Sequence, residues 1–362
     1  MFSSIDPCTG ELIDEFVELS DRQLDAKLDL SIGAQLAWSG VSIDERAKVL
    51  KAAEKILTEG KDRLALLMTS EMGKTLKSAR AEVEKCAWVC QYYAENGANF
   101  LRDEAIETGA SASYVRYLPL GALLAVMPWN FPFWQVFRFL APAMIAGNTI
   151  VLKHSSNVPQ CALAIEDVLL AAGAPAGAFQ TLLIGSKRVA GVIADSRIAA
   201  VTMTGSEGAG RKVAEAAGAH IKKCVLELGS NDPFIVMPSA DLDKAVPAAI
   251  QARIMNNGQS CVAAKRFLVH DAIYDEFEER FVEGLRALKV GDPRSDETDI
   301  GPLATLQTRE DVERQVSESI RQGATLLCGG KRIGTRGFFY SPAAVSNVPP
   351  NAPMYSEEVF AP

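Results

Sequence analysis

The sequence predicts an α/β protein of about two domains, in which a parallel sheet is flanked by helices. Its 362 residues fit two domains of roughly 150 residues each. From Gly121 onward, short apolar runs alternate with helical patterns, which is typical of parallel strands joined by crossover helices. Because ligands of such sheets gather at the carboxyl ends of the strands, the turns that follow the strands are the first candidates for a site.

The first hundred residues predict mainly helices. Ser42 resembles an N-cap, because acidic residues follow it and apolar residues then recur at helical spacing. A second helical run covers residues 63–72 and ends at Gly73, and a third extends from Leu76 to about Phe100.

Residues 113–118 alternate in polarity and carry β-branched and aromatic side chains, so they predict a strand outside the main blocks. An isolated strand needs a partner, and we expect this one to pair with another subunit.

The alternating region predicts five strands and three helices. The strands are residues 123–127, 149–152, 180–184, 198–203 and 224–226, and the helices are residues 158–172, 187–194 and 207–217. Gly173 and Pro175 mark the end of the first helix. A hinge is expected near residues 228–231. Beyond it, further strands are predicted at 234–237, 265–269 and 325–328. Helices are predicted to start within residues 239–242 and to cover residues 273–288 and 308–322.

Composition excludes several classes of function. Lys and Arg number 37 against 45 Asp and Glu, so the net charge of −8 argues against a nucleic-acid or anionic-membrane surface. No stretch reaches the roughly 18 uninterrupted apolar residues of a membrane span. The seven cysteines include no C-x-x-C pair, and the three histidines are not spaced at i, i+4. We therefore expect a reduced, cytoplasmic chain without disulfides or a metal site.

Cys261 is a candidate nucleophile. An arbitrary cysteine is most often a small buried hydrophobe. Here Asn256-Asn257-Gly258 ends the preceding helix, so the thiol is expected on a polar loop. Reactive thiols need such access to solvent.

Glu227 is a candidate general base. It follows an apolar strand and is flanked by leucines, so we expect it to be desolvated. Burial raises the pKa of a carboxyl group and suits it to base catalysis near neutral pH. The alternative is a structural ion pair with Lys222 or Lys223.

Two turns complete the set of candidates. In Pro128-Trp129-Asn130-Phe131-Pro132, two prolines bracket an amide that could serve as one arm of an oxyanion hole, or else cap a core turn. Residues 204–210 connect a strand to a helix whose free N–H groups could bind phosphate. Their glycines do not form G-x-G-x-x-G, so a simple tight turn is the alternative.

Together these segments resemble the aldehyde dehydrogenase family along the whole chain. The motifs occur in family order: Pro128–Pro132, Leu152-Lys153, Thr204-Gly205-Ser206, Leu226-Glu227-Leu228-Gly229, Gly258-Gln259-Ser260-Cys261 and Glu357-Glu358-Val359-Phe360. The resemblance implies a Rossmann-like NAD(P)-binding domain at residues 1–104 and 120–227. It also implies a protruding oligomerisation strand at 105–119 and an α/β catalytic domain at 228–362.

The resemblance also implies a mechanism. The Cys261 thiolate attacks the aldehyde carbon, and Asn130 with a backbone N–H near Cys261 stabilises the oxyanion. Hydride passes to the nicotinamide, and Glu227 activates water to hydrolyse the thioester. Relatives that transfer the acyl group to coenzyme A generally lack this base, so release of a free acid is favoured.

The resemblance assigns the cofactor contacts to residues on both sides of Glu227. These are Trp129, Lys153, Ser156, Gly205, Ser206, Glu358 and Phe360. Many NAD-preferring relatives carry a glutamate where this chain has Ser156. Loss of that carboxylate removes repulsion of a 2′-phosphate, so NADP use is favoured and NAD use stays open.

Arg138 matches an arginine that holds the distal carboxylate in succinate-semialdehyde dehydrogenases, and the surrounding segment resembles the bacterial subgroup. A solvated helix arginine is the alternative. Met255 stands where some relatives have a second arginine, so a broader aliphatic or aromatic aldehyde specificity stays open. Relatives continue beyond the Ala361-Pro362 end. We therefore expect a homo-oligomer, a dimer or tetramer, only for a full-length chain, and a nucleotide-binding remnant without turnover is a further alternative.

Overall fold

The computed structural model describes all residues from Met1 to Pro362. The chain forms two compact units. The first comprises residues 1–4, 14–67 and 80–227, and the second comprises residues 5–13, 68–79 and 228–362. The chain thus passes from the first unit to the second between Glu227 and Leu228, beside the expected hinge, and the second unit also takes in two N-terminal segments that no pattern indicated.

The N-terminal region holds a two-stranded sheet and four helices. These are β1 (Phe2–Ile5), β2 (Leu12–Phe16), α1 (Asp21–Gly40), α2 (Ile43–Glu59), α3 (Lys61–Met72) and α4 (Leu76–Phe100). The predictions of α2, α3 and α4 are confirmed, and Ser42 caps α2 by accepting a hydrogen bond from the Glu45 N–H. The small sheet and α1 were missed. A capping box formed by Ser20 and Gln23 opens α1 and is the signal that could have revealed it.

The strand expected at residues 113–118 is shorter than predicted. β3 (Glu104–Ala105) pairs antiparallel with β4 (Tyr114–Val115), so the pairing partner lies within the chain. The connecting loop closes locally, because the Thr108 and Ser113 hydroxyls lie 2.7 Å apart. The backbone groups of β4 that face β3 therefore need no second subunit.

A five-stranded sheet forms the centre of the first unit, in the order β7-β6-β5-β8-β9. Its strands are β5 (Ala122–Met127), β6 (Thr149–His154), β7 (Phe179–Thr181), β8 (Ile198–Gly205) and β9 (Lys223–Leu228). The β5–β6, β5–β8 and β6–β7 pairs are parallel, as the alternation predicted. Nearly every residue of β5 is buried, which explains its continuous apolar run. By contrast, β9 lies at the edge, and its residues alternate between exposed and half-buried.

Helices connect these strands and cover the sheet. They are α5 (Trp134–Ile145), α6 (Pro159–Ala171), α7 (Val189–Ala194) and α8 (Glu207–Ala219). The core includes Leu124, Val151 and Val201 from the strands and Val213 from α8. This packing fixes the strand ends from which the site loops depart.

The second unit contains two small sheets. β10 (Pro233–Val236) pairs parallel with β11 (Arg266–Val269), and β12 (Thr325–Cys328) pairs antiparallel with β13 (Ala344–Ser346). The helices are α9 (Leu242–Ile254), α10 (Tyr274–Ala287), α11 (Leu306–Arg321) and the short α12 (Pro353–Ser356). Phe277 and Phe281 stack on one face of α10 and anchor this core. None of the helices in the chain combines the length and apolar character that crossing a bilayer requires.

Candidate active site

Several of the predicted site residues of the first unit follow strands of the central sheet. The Pro128–Pro132 turn follows β5, Ser156 lies two residues beyond β6, and Gly205 is the last residue of β8. Because these three strands run in the same direction, the turns lie at one edge of the sheet. These candidate site residues therefore lie at the carboxyl edge of the sheet, where ligands of parallel sheets are expected to bind.

The Asn130 turn is anchored by a carboxylate from another helix. Glu82 of α4 is buried, and its Oε1 accepts hydrogen bonds of 2.9 Å from the N–H groups of both Phe133 and Trp134. Those N–H groups begin α5 and have no partner within the helix. Glu82 thus caps α5 and fixes the turn that carries Asn130, whose side chain is 4% exposed. Glu82 was not predicted as part of the site, although a carboxylate among the apolar positions of α4 was a visible signal.

His154 holds the same turn from β6. Its Nε2 lies 2.8 Å from the Pro132 carbonyl, and its Nδ1 accepts a 2.8 Å hydrogen bond from the Ser155 N–H. Because Nδ1 accepts, the proton lies on Nε2, which donates to Pro132. Burial lowers the pKa of His154 to about 4, so the ring is neutral at pH 7.

The cofactor candidates of the first unit include a lysine and two exposed serines. Lys153 is half-buried on β6, and burial lowers its pKa. Ser156 is exposed. Ser206 is also exposed and caps α8 by accepting a hydrogen bond of 3.4 Å from the Ala209 N–H. The first turn of α8 therefore presents N–H groups to solvent, where a phosphate could bind.

Arg138 and Glu227 lie close together in the first unit. Arg138 of α5 donates a 2.9 Å hydrogen bond to the Thr204 hydroxyl, and its Nη1 lies 3.8 Å from Glu227 Oε2. The expectation that Glu227 is desolvated is wrong, because its side chain is 59% exposed on the edge strand. The apolar residues before Glu227 suggested a strand covered on both faces, whereas β9 is covered only in part. Its ion-pair partner is Arg138, not Lys222 or Lys223.

In the second unit, Cys261 lies on a loop with unusual backbone conformations, here termed the Cys261 loop (residues 256–264). Asn256, Asn257 and Gly258 adopt consecutive φ angles of 56°, 59° and 72°. Asparagine and glycine are the residues that tolerate this left-handed region. A Cβ atom at Gly258 would also overlap the Ala361 carbonyl. The run of residues that predicted a helix end thus makes a sharp reversal that leads to the thiol.

The side chains of Asn257 and Gln259 hold this loop by hydrogen bonds to backbone groups. Asn257 donates to the carbonyls of Gly73 and Pro302, at 2.9 Å and 3.1 Å, and accepts from the Gly301 N–H. Gln259 accepts from the Ala304 N–H at 2.9 Å. The segment is therefore rigid on both sides of the reversal.

Cys261 is half-buried, as are Cys8, Cys224 and Cys328, but burial makes some of the other cysteines poorly suited to nucleophilic chemistry. Burial raises the pKa of Cys8 to about 12, and it raises the pKa of Cys90 and Cys224 as well. A thiol with a raised pKa forms little of the thiolate that attacks carbonyl carbon. All seven cysteines are unpaired thiols.

Two buried cations that sequence analysis missed connect the Cys261 loop to the C-terminal segment. Lys265, whose side chain is 2% exposed, donates to the Cys261 carbonyl and lies 3.2 Å from Glu358 Oε1. Arg253 of α9 donates to the carbonyls of Ala264 and Val359, at 3.0 Å and 3.2 Å. Their only signal in the sequence was a charge among small and apolar residues.

The C-terminal segment carries the remaining cofactor candidates. Glu358 and Phe360 are both half-buried after α12. Gly229 packs so closely on the Glu358 carboxylate that a Cβ atom there would overlap it. No group of three or more His, Cys, Asp or Glu side chains is arranged to hold a metal ion.

Comparison with known proteins finds close relatives. The Aldehyde dehydrogenase family profile matches residues 1–362. A probable succinate-semialdehyde dehydrogenase (NADP+) of Synechocystis sp. is 51% identical over 360 residues, which cover 99% of this chain and 79% of the relative. The succinate-semialdehyde dehydrogenase (NADP+) of Mycobacterium avium is 51% identical over 364 residues, covering 99% and 77%. Among solved structures, succinic semialdehyde dehydrogenase of Streptococcus pyogenes in complex with NADP+ has a TM-score of 0.98. It is 37% identical and covers 100% of this chain and 80% of that one.

Proposed function

The chain belongs to the aldehyde dehydrogenase family, and we propose that it oxidises succinate semialdehyde to succinate with NADP. The observation that carries this proposal is the identity of 51%, over 99% of the chain, to relatives that bear that name. The half-buried thiol on its rigid loop supports the same reaction class, because such a thiol is accessible and well oriented for attack.

Each proposed role follows from the chemistry of the side chain. The Cys261 thiol loses its proton to solvent and Sγ bonds to the aldehyde carbon, while the carbonyl oxygen becomes an oxyanion stabilised by the Asn130 amide and the Cys261 N–H. When bound, the nicotinamide accepts a hydride from that carbon. Glu227 then takes a proton from water, and the water oxygen bonds to the thioester carbon. The C–S bond breaks, the sulfur takes up the proton from Glu227, and the acid and the thiol are released.

The residues of the first unit fit a phosphorylated dinucleotide. Ser156 is exposed at the end of β6 and places no negative charge where a 2′-phosphate would lie. Lys153, within β6, matches the family position that contacts the adenosine ribose. The solvent-facing start of α8 suits the pyrophosphate. NAD remains an alternative cofactor.

Arg138 is the proposed recognition group for the distal carboxylate, because a guanidinium can bind a carboxylate with two hydrogen bonds. A second candidate function is a broader aldehyde dehydrogenase. The hydrogen bond from Arg138 to Thr204 favours this alternative, because it occupies part of the guanidinium. The two candidate functions differ in whether the enzyme recognises a negative charge on the aldehyde substrate.

Steady-state kinetics with succinate semialdehyde and with butanal, an uncharged aldehyde of equal length, tests the proposal with both nucleotides. We expect higher kcat/KM with NADP than with NAD. Arg138→Ala should raise KM for succinate semialdehyde about 10- to 100-fold, as loss of a charged hydrogen bond does, and KM for butanal less than about 3-fold. Arg211→Ala, which alters an exposed arginine of α8, serves as the matched control. Equal effects on both aldehydes would select the broader enzyme, and no turnover of either would overturn the proposal.

A further inference from the structure

We propose that Lys265 is a positioning residue, which turns the backbone N–H groups of Cys261 and Val262 toward the oxygen of an acyl group on the thiol. The inference deepens the proposed function, since it assigns the origin of an oxyanion site around the nucleophile. It rests on geometry within the second unit alone.

The Lys265 ammonium is surrounded by carbonyl oxygens of the Cys261 loop. Its Nζ lies 3.0 Å from the Ser260 oxygen, 2.7 Å from the Cys261 oxygen and 3.3 Å from the Ala263 oxygen. An ammonium group has three N–H donors, and these three carbonyls can use all of them. Since the side chain is only 2% exposed, little water competes for these bonds.

These bonds fix the direction of two peptide units. In a trans peptide the C=O and the following N–H point in opposite directions, and the chain contains no cis peptide. Because the Ser260 and Cys261 carbonyls point at Nζ, the N–H groups of Cys261 and Val262 point away from it. Neither N–H donates to another protein group. Two successive N–H groups on one side form a concave site for an anion.

Glu358 keeps the buried charge in place. A buried ammonium is costly without a counter-charge, and the carboxylate lies 3.2 Å from Nζ. Arg253 adds bonds from its guanidinium to the Gly258 and Ala264 carbonyls, on either side of the thiol. The loop carbonyls therefore have fixed donors, and the N–H groups opposite them keep one orientation.

Two reactions of the same thiol separate this role from a general structural one. With p-nitrophenyl acetate, Cys261 Sγ bonds to the acetyl carbon through an oxyanion, p-nitrophenolate leaves with the bonding pair, and the thiol proton passes to solvent. With iodoacetamide, Sγ displaces iodide from a methylene carbon, again losing its proton to solvent, and no oxyanion forms. Both products are quantified at Cys261 by mass spectrometry. Neither reagent needs nucleotide or aldehyde, so the test holds even if the wild-type chain oxidises no semialdehyde.

Lys265→Met should slow acetylation of Cys261 about 10- to 100-fold, since an oxyanion donor is worth about that much or more, while alkylation changes less than about 2-fold. Lys265→Arg should restore part of the acetylation rate. Lys244→Met, at a lysine whose side chain is 85% exposed, should alter neither reaction.

Unchanged acetylation in Lys265→Met, or an equal loss in both reactions, would overturn the proposal. If Lys265→Met lacks the circular dichroism spectrum of the wild type, Lys265→Gln replaces it; its neutral amide cannot donate to all three carbonyls, so acetylation should again fall more than alkylation. Failure of both variants to fold would assign Lys265 a purely structural role and would also overturn the proposal.

Discussion

Glu227 lies on the edge strand β9 with its carboxylate 3.8 Å from the Arg138 guanidinium. Its exposed position gives water direct access to the carboxylate, which suits a base that activates water rather than one that removes a proton from a buried group. The guanidinium also provides a fixed positive neighbour that orients the side chain. The proposed role of Glu227 therefore depends on solvent access and not on desolvation.

Glu227→Gln should separate hydride transfer from hydrolysis. The amide cannot accept the proton of the attacking water, so we expect steady-state turnover to fall about 100-fold or more, whereas the first burst of NADPH persists. Rapid-mixing absorbance measurements compare the burst with the steady state. Glu215→Gln, at an exposed carboxylate of α8, is the control. A burst that disappears together with turnover would assign Glu227 to the chemistry before hydride transfer.

At the residue scale, the sequence predicted the polar loop that carries Cys261. It did not predict the buried side chains that hold the site loops in place. Asn256-Asn257-Gly258 identified a polar reversal, because these residue types tolerate positive φ. Lys265 acts through backbone carbonyl groups of its own loop and Glu82 through backbone N–H groups of distant residues, and such bonds leave no pattern in a sequence. The exposure of Glu227 was mispredicted because strand order, which places β9 at the edge, is not written in local periodicity.

At the scale of elements, a neutral histidine links β6 to the turn that precedes α5. His154 donates to the Pro132 carbonyl and is buried, so a proton added to Nδ1 would break its bond from the Ser155 N–H and place a charge in the core. The contact between His154 and the Pro132 carbonyl is therefore sensitive to acid. This contact holds the turn in which Asn130 lies.

Because His154 is buried in its neutral form, the free energy of unfolding should decrease as pH falls. The unfolded chain binds a proton near the ordinary imidazole pKa of 6.5, whereas the folded chain resists it until about pH 4. The unfolded state therefore binds more protons between these values, and stability falls as pH drops from 7 to 5, by about 2 kcal/mol from this residue. In urea titrations, His154→Gln should lose about that much less stability over this interval. His220→Gln, at an exposed histidine, should match the wild type. Equal losses in wild type and His154→Gln would refute the assignment.

Most elements followed from sequence because their patterns are local. The helices α2, α3 and α4 and the strands of the central sheet have clear periodicity, caps or apolar runs. The failures have physical causes as well. In α1 the apolar residues do not concentrate on one face, and β1 and β2 are short strands of four and five residues without a buried apolar run. The pairing of β3 with β4 depends on a loop closure that propensity does not encode.

For the molecule as a whole, the proposed division of labour follows the two compact units. The first unit carries most of the dinucleotide candidates, around a parallel sheet, and the second carries Glu358, Phe360 and the nucleophile, whose loop is held by buried cations. We propose that residues 1–104 and 120–227 bind the cofactor and that residues 228–362 provide the nucleophile, with 105–119 as an assembly strand. Family membership was predictable from six motifs in order, and the substrate class was predictable from Arg138 and the segment around it, which resemble the bacterial succinate-semialdehyde dehydrogenases.

The central claim is that the acyl group passes through a thioester on Cys261. The most direct measurement is peptide mass spectrometry of the protein quenched during turnover of succinate semialdehyde with NADP, using Glu227→Gln to prolong the intermediate. The account predicts a succinyl adduct on Cys261 and none on Cys261→Ser. An adduct on any other cysteine, or full turnover by Cys261→Ser, would contradict it.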